Sequence, residues 1–294
     1  VQNFFGVGST PVICDDLLIV QIGGSPPESR LAPPGRLDQV VGAGSGIVAF
    51  DKLTGKVRYQ ITDELASYSS PKLATIDGRR WAFVFARGGL VGFEPRTGKL
   101  DFQFPWRAPI LESVNASNPV VVGDQVFISE AYGVGSALIK ARPGGCDVVW
   151  SDAQRRRDKA MKTHWNTAIE VDGYLYGSSG RHEGEAELRC IELATGKVQW
   201  SEPNLHRASL LCVDGHFVCL SEDGKLRLLR VNPEKFDLVS TAVLIESPNE
   251  PAAPNLLGRR LLKAPAWAAP VLAHGLMYVR GRDRLACVDL IPAK

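Results

Sequence analysis

The sequence predicts an all-β fold of repeated four-stranded antiparallel meanders. Three observations carry the prediction. First, one pattern recurs six times along the 294 residues: an apolar run, a tight turn, a second apolar run, a glycine-containing connection, and a third run ending on an acidic or polar residue. Second, the third runs end at Asp51, Glu94, Lys140, Glu192, Arg230 and Asp289, in steps of 43, 46, 52, 38 and 59 residues. Those steps lie within or near the period of about 40–50 residues expected of one four-stranded repeat. Third, helical periodicity is almost absent, and the 29 glycines exceed the usual share of about 7 %, as many tight turns require. Repeated meanders arranged radially make a β-propeller, which leaves only short, protected edges. An elongated solenoid is the competing architecture, but its period is usually shorter.

Each element follows in order. The first turn of each repeat reads Cys14-Asp15-Asp16-Leu17, Ile76-Asp77-Gly78-Arg79, Val122-Gly123-Asp124-Gln125, Val171-Asp172-Gly173-Tyr174, Val213-Asp214-Gly215-His216 and Ala273-His274-Gly275-Leu276. Asp-Gly between alternating hydrophobics predicts a hairpin, because a type I′ turn needs positive φ at both central residues. Three third runs continue into a second turn: Asp51-Lys52-Leu53-Thr54-Gly55, Glu94-Pro95-Arg96-Thr97-Gly98 and Glu192-Leu193-Ala194-Thr195-Gly196. The acidic side chain can accept backbone N–H groups across the turn, and Gly supplies the left-handed residue. Four positions past each Gly stands an aromatic residue: Tyr59, Phe102 and Trp200.

These turns carry a resemblance. The pattern of an acid, Thr-Gly and a following aromatic resembles the PQQ-type repeat of quinoprotein-like propellers. Cys190–Trp200 is its best copy, and Val48–Tyr59 and Gly92–Phe102 carry Tyr or Phe in place of Trp. The third and fifth repeats depart from it, with Pro143-Gly144-Gly145 and Asn232-Pro233 at the turn. In particular, the chain resembles the bacterial PQQ-like repeat proteins grouped with the outer-membrane assembly lipoprotein BamB. The resemblance covers nearly the whole chain, and implies one propeller domain over residues 1–294 and a periplasmic or otherwise extracytoplasmic location. It also implies a parent of seven or eight blades, so that one or two N-terminal blades precede the six repeats seen here. The sixth repeat stops after its third run, which agrees with that expectation.

In an up-and-down meander, the first and third connections of a blade share one end and the second connection and inter-blade link share the other. The tight turns all fall in the first class. The long segments (Gly23–Gly46, Phe104–Asn115, Ser151–Trp165, Gly177–Glu187, Ser201–Arg207 and Thr241–Trp267) all fall in the second. Insertions confined to one face mark a binding face, or drift in unconstrained loops. Residues entering the innermost strands from that face are expected to ring a channel mouth: Phe5, Tyr68, Glu112, Asn115, His164, Trp165, Asn166, His206, Arg207 and Trp267. Trp165 and Trp267 offer indoles for a planar ligand or peptide side chain to stack on, or they simply fill space between blades.

Composition narrows the function. A formal charge of +2 excludes a polyanion binder driven by bulk charge, so no nucleic-acid partner is expected. No apolar run is long enough to span a membrane. The six cysteines show no CxxC, no adjacent pair and no metal spacing with the five histidines, and most read as buried thiols in strands. Arg155–Lys159 and Lys162 form the one basic cluster, expected to be a solvated face, with one helical turn possible there. Ser25–Gly35 reads as a stiff, extended proline loop. Two functions remain in view. One is a non-enzymatic binding or scaffold module for a protein or envelope polymer, with no cofactor. The other, implied by the resemblance, is a dehydrogenase that oxidises an alcohol or sugar with PQQ and Ca²⁺. Relatives of that second kind stack PQQ between a Trp and a disulfide of adjacent cysteines, and this chain has no such pair. A hydrolase or lyase would need a polar triad or metal cluster that the sequence does not display.

Overall fold

A computed structural model describes residues 8–31, 37–245 and 260–291. It shows the predicted β-propeller blades, which fall into two compact units. The first unit, Val1–Trp165 with Ala194–Gly196, carries three four-stranded antiparallel sheets. They are β1 (Val12–Cys14), β2 (Leu17–Gln21), β3 (Ile47–Asp51) and β4 (Val57–Ile61); β5 (Lys72–Ile76), β6 (Arg79–Phe85), β7 (Gly89–Phe93) and β8 (Leu100–Pro105); and β9 (Val120–Val122), β10 (Gln125–Ser129), β11 (Ser136–Arg142) and β12 (Gly145–Ser151). The second unit comprises Asn166–Leu193 and Lys197–Lys294. It holds β13 (Ile169–Val171), β14 (Tyr174–Ser179), β15 (Glu187–Glu192) and β16 (Val198–Glu202), then β17 (Ala208–Val213), β18 (His216–Ser221), β19 (Lys225–Arg230) and β20 (Leu238–Val243). Its last sheet has three described strands, β21 (Val271–Ala273), β22 (Leu276–Arg280) and β23 (Leu285–Asp289).

The turn chemistry acts as the residues demand. Asp77-Gly78, Asp172-Gly173, Asp214-Gly215 and His274-Gly275 all take positive φ at both central positions, with φ of 47–53° at the first. In the second turns, Asp51 Oδ1 accepts the N–H groups of Leu53 and Thr54 and the Thr54 hydroxyl at 2.9–3.1 Å. Glu94 does the same for Arg96 and Thr97. Every four-stranded sheet also has a bulge between its third and fourth strands, at Ala49/Phe50, Gly92/Phe93, Leu138/Ile139, Cys190/Ile191 and Leu228/Leu229.

The aromatic residue of the repeat sits opposite that bulge and reaches toward the next blade. Tyr59 donates its hydroxyl to Pro95 O at 2.6 Å. Its ring lies where a Cβ on Gly98 would be, 2.6 Å from Cδ2. Trp150 covers Gly196 in the same way, and Trp200 Nε1 donates to Asn232 O at 2.9 Å. The Thr-Gly turn and the aromatic are therefore two halves of one inter-blade contact. Gly98 combines φ +75° with no room for a methyl group, so Gly98→Ala adds left-handed strain to overpacking. We expect it to cost about 2–4 kcal/mol, measured as a shift in the urea midpoint.

Strand alternation places the core. In β6, Trp81, Phe83 and Phe85 pack with Val126, Ile128 and Ile139 of the third blade, whereas Ala82 and Val84 pack with Ile19, Ile47 and Ala49 of the first. In the second unit, Tyr176, Leu188 and Cys190 meet Leu210, Phe217 and Cys219, and Leu220 and Leu226 meet Met277 and Val279. All six cysteines are free. Burial pushes the thiols of Cys190 and Cys219 up to about 11 and about 12, which leaves them protonated and inert. Cys287, by contrast, is exposed.

Three expectations are corrected or fall elsewhere. Pro27–Leu31 is a short 3₁₀ helix rather than extended chain, since Pro suits a first helical position. Pro33-Pro34-Gly35, Phe5 and residues 246–259 lie outside the described residues. The basic cluster forms no helix, and only part of it is solvated. Arg155, Arg156 and Arg157 are exposed, but Lys159 is buried, its ammonium donating to the carbonyls of Val134, Asp152 and Ala153 at 2.8–3.1 Å.

Candidate functional site

The long connections bring the predicted residues together in small groups, each within one unit. In the second unit, the link before β17 passes through left-handed Asn204 and His206 and delivers Arg207 to Glu222, which follows β18. Arg207 Nε and Nη2 donate to the two Glu222 oxygens at 2.8 and 2.5 Å. The backbone repeats the pairing, Glu222 N–H donating to Arg207 O and Ala266 N–H to Glu222 O. Trp267 then donates Nε1–H to Glu222 Oε1 at 2.9 Å, with the Arg207 guanidinium 5.8 Å from its ring centroid. The Ser209 hydroxyl donates to Trp267 O at 3.2 Å. Trp267 nevertheless remains 48 % exposed. His206 Nδ1 lies 2.6 Å from Glu183 Oε1 in the loop after β14, and Arg207 Nη1 donates to Arg181 O.

Glu222 titrates below its ordinary value of 4.5. Burial pushes it up, but the Arg207 hydrogen bonds, the Trp267 N–H and the Arg207 charge together outweigh burial. Asn166, also predicted, is buried and spends its amide on Ser178 O at 2.9 Å.

In the first unit, Tyr68 and Asn115 meet through the backbone, the N–H groups of Tyr68 and Ser69 donating to Asn115 O. Asn115 is fully buried. Its Nδ2 donates to Ala86 O and Trp106 O at 2.8 and 2.9 Å, and its N–H donates to the Ser67 hydroxyl at 2.7 Å. Its side chain thus braces the link, while Tyr68 stays half-buried beside it and Glu112 is exposed on the preceding loop. His164 and Trp165 are half-buried. His164 Nε2 lies 3.1 Å from the Tyr132 hydroxyl, with the two rings edge to face.

Tyr132 was not foreseen, and neither was the residue that places it. Glu130 is buried and accepts the N–H groups of Tyr132, Val134 and Gly135, so the loop wraps around one carboxylate. Burial pushes that carboxyl up, against those same N–H groups. The sequence signal was the Glu-Ala-Tyr-Gly-Val-Gly stretch, whose glycines permit the wrap at φ of 128° and 92°.

No group of three His, Cys, Asp or Glu side chains able to hold a metal occurs among the described residues, and no described helix is long and apolar enough to cross a membrane. Chemically, the first unit offers a Tyr–His pair, and the second offers a fixed, half-exposed indole beside an Arg–Glu ion pair.

The sequence profile described as outer membrane protein assembly factor BamB matches residues 31–202. Among solved structures, BamB from Moraxella catarrhalis superimposes with a TM-score of 0.58 at 12 % identity, over 94 % of this chain and 67 % of that one. A europium-containing methanol dehydrogenase gives 0.57 at 13 %, over 93 % and 61 %. The quinohemoprotein alcohol dehydrogenase of Comamonas testosteroni gives 0.55 at 14 %, over 93 % and 51 %. The chain therefore spans between half and two thirds of the length of these structures, and the likeness is one of fold. No curated protein matches the sequence.

Proposed function

The chain belongs to the family of outer membrane protein assembly factor BamB, and from that premise we propose that it is a non-catalytic binding module of the bacterial cell envelope. It works outside the cytoplasm and recognises a protein or envelope polymer through its long-loop face. The observation that carries this reading is Trp267. An indole that is 48 % exposed yet held by Glu222, with Ser209 on its carbonyl, loses little entropy when a partner covers it, which is the property of an interface anchor.

The alternative, PQQ with Ca²⁺, finds a poor donor set here. Ca²⁺ needs six to eight oxygen ligands. Both oxygens of Glu222, the carboxylate beside the exposed indole, are engaged by Arg207 and Trp267. The Asn115 amide is buried against two carbonyls. No adjacent cysteine pair exists to face an indole.

Photoreactive benzoylphenylalanine at position 267 of the full-length protein in its native envelope tests the reading. A discrete adduct is expected there and none at Leu53, which is 88 % exposed on a tight turn. Equal adducts at both positions would overturn it, as would saturable PQQ binding, with Ca²⁺ present, at one per chain.

A further inference from the structure

The link after β12, in the first unit, is tied down at its base and bare at its tip. At the base, Asp152 is fully buried, and its carboxylate accepts the N–H and hydroxyl of Ser136 and the N–H of Ala160 at 2.7–2.9 Å. Its carbonyl accepts the Arg155 N–H and the ammonium of buried Lys159. Gly135 makes room for this base, since a Cβ there would collide with the Asp152 carboxylate and the Lys159 stem. Between the two tied residues, Gln154, Arg155, Arg156, Arg157 and Asp158 are all exposed. The chain turns back at Lys159, whose N–H donates to Arg157 O at 2.9 Å. Among the described residues, no carboxylate pairs with any of the three tip arginines, the adjacent Asp158 included. The other exposed arginines of this unit are matched: Arg58 lies 3.2 Å from Asp16, Arg96 3.8 Å from Asp15 and Arg142 2.9 Å from Asp147. A buried polar lattice thus holds up three adjacent cations that the fold itself does not neutralise, at the cost of their mutual repulsion.

We infer that this tip docks on an anionic membrane surface, its guanidiniums meeting lipid phosphate groups. Composition and shape both favour that partner over a protein. A protein interface holds through a buried aromatic or apolar anchor, and residues 154–158 offer none. Three consecutive side chains on a non-helical stretch do not share one face, which suits a plane of many charges better than one small anion. Attraction to such a plane adds over the three residues, each worth about fivefold in partition. Exposed pairs with a short soluble acidic segment gain far less. Asp158 subtracts from the total, so the contact orients the unit on a bilayer and does not anchor it alone. The inference rests on the reading of the chain as an envelope module, but it uses residues remote in sequence from Trp267 and can fail separately.

The test is co-sedimentation of the full chain with vesicles of phosphatidylcholine, with and without about 30 % phosphatidylglycerol. Binding is expected on the anionic vesicles only, and is expected to fall as salt is raised to about 0.5 M. Replacing Arg155, Arg156 and Arg157 together by Gln is expected to weaken partition at least about twentyfold, while replacing all three by Lys keeps most of it. Asp158→Asn is expected to tighten partition about two- to fivefold. Opposite signs from substitutions on one exposed tip are not produced by a folding defect. Equal sedimentation with both vesicle types would overturn the inference, as would partition unchanged in the triple Gln variant. Saturable micromolar binding of a fluorescein-labelled hexaglutamate, lost in that same variant, would assign the tip to an acidic polypeptide and overturn the membrane contact. If the position-267 adduct persists in any of these cases, the recognition reading stands and only the membrane contact falls.

Discussion

Glu222→Ala is expected to lose about 3–5 kcal/mol of folding free energy, the range for removing one partner of a buried ion pair. The two side chains are only 10 % and 15 % exposed, so solvent does not replace what is lost. Alanine would leave the largely buried Arg207 guanidinium without its forked acceptor, and the Trp267 indole N–H without its oxygen. The double variant with Arg207→Met should recover much of the loss, because the stranded charge is then gone. Urea unfolding of the wild type, both single variants and the double variant gives the cycle directly, and strictly additive losses would contradict the pairing.

The same carboxylate sets an acid limit. Its folded-state value is depressed, so its contribution is complete above the ordinary 4.5 and fades as pH falls through the lower folded value. Melting temperature measured from pH 7 to pH 3 should therefore fall more steeply in the wild type than in Glu222→Gln, which cannot titrate there. Glu130 works in the opposite sense. Its folded value is raised, so its ionised form costs stability at neutral pH, and this cost is relieved as pH falls through that value.

How much of this was legible in the residues differs by level. The blades were, because Asp-Gly turns and two-residue alternation are local properties that backbone sterics enforce wherever they occur; Asp77-Gly78 needs no distant partner to take its φ values. The partner of the repeat aromatic was not. Tyr59 and Gly98 lie 39 residues apart, and only the stacking of consecutive blades shows that one was kept bare for the other. The candidate site was legible as a set of positions, not as roles. Arg207 and Trp267 were both marked by where they enter a strand, but the residue that joins them, Glu222, sits at the end of a different strand and carries no motif. Lys159 misled for the same reason. A lysine in a run of arginines reads as solvated until three carbonyls are seen to converge on it.

Asn115→Ala separates a bracing role from a recognition role at a position that sequence alone placed at the channel mouth. The side chain is fully buried and its amide supplies donors to two carbonyls, Ala86 O and Trp106 O, that come from the end of β6 and the chain just past β8. Removing it strands both acceptors away from water, at about 1–3 kcal/mol for each group left unpaired. Shared relaxation reduces the sum, so the expected loss is about 2–4 kcal/mol. Asn115→Asp should be worse, since a carboxylate has no N–H to offer and its charge would face two carbonyl oxygens in a buried setting. Its deficit should therefore grow as pH rises through the carboxyl titration. Glu112→Ala, three residues earlier and exposed, should stay within about 0.5 kcal/mol of the wild type. Urea midpoints at pH 5 and pH 8 for the three variants check all of this at once. If Asn115→Ala proved as mild as Glu112→Ala, the two carbonyls must find other donors, and the amide would be free to serve a ligand instead.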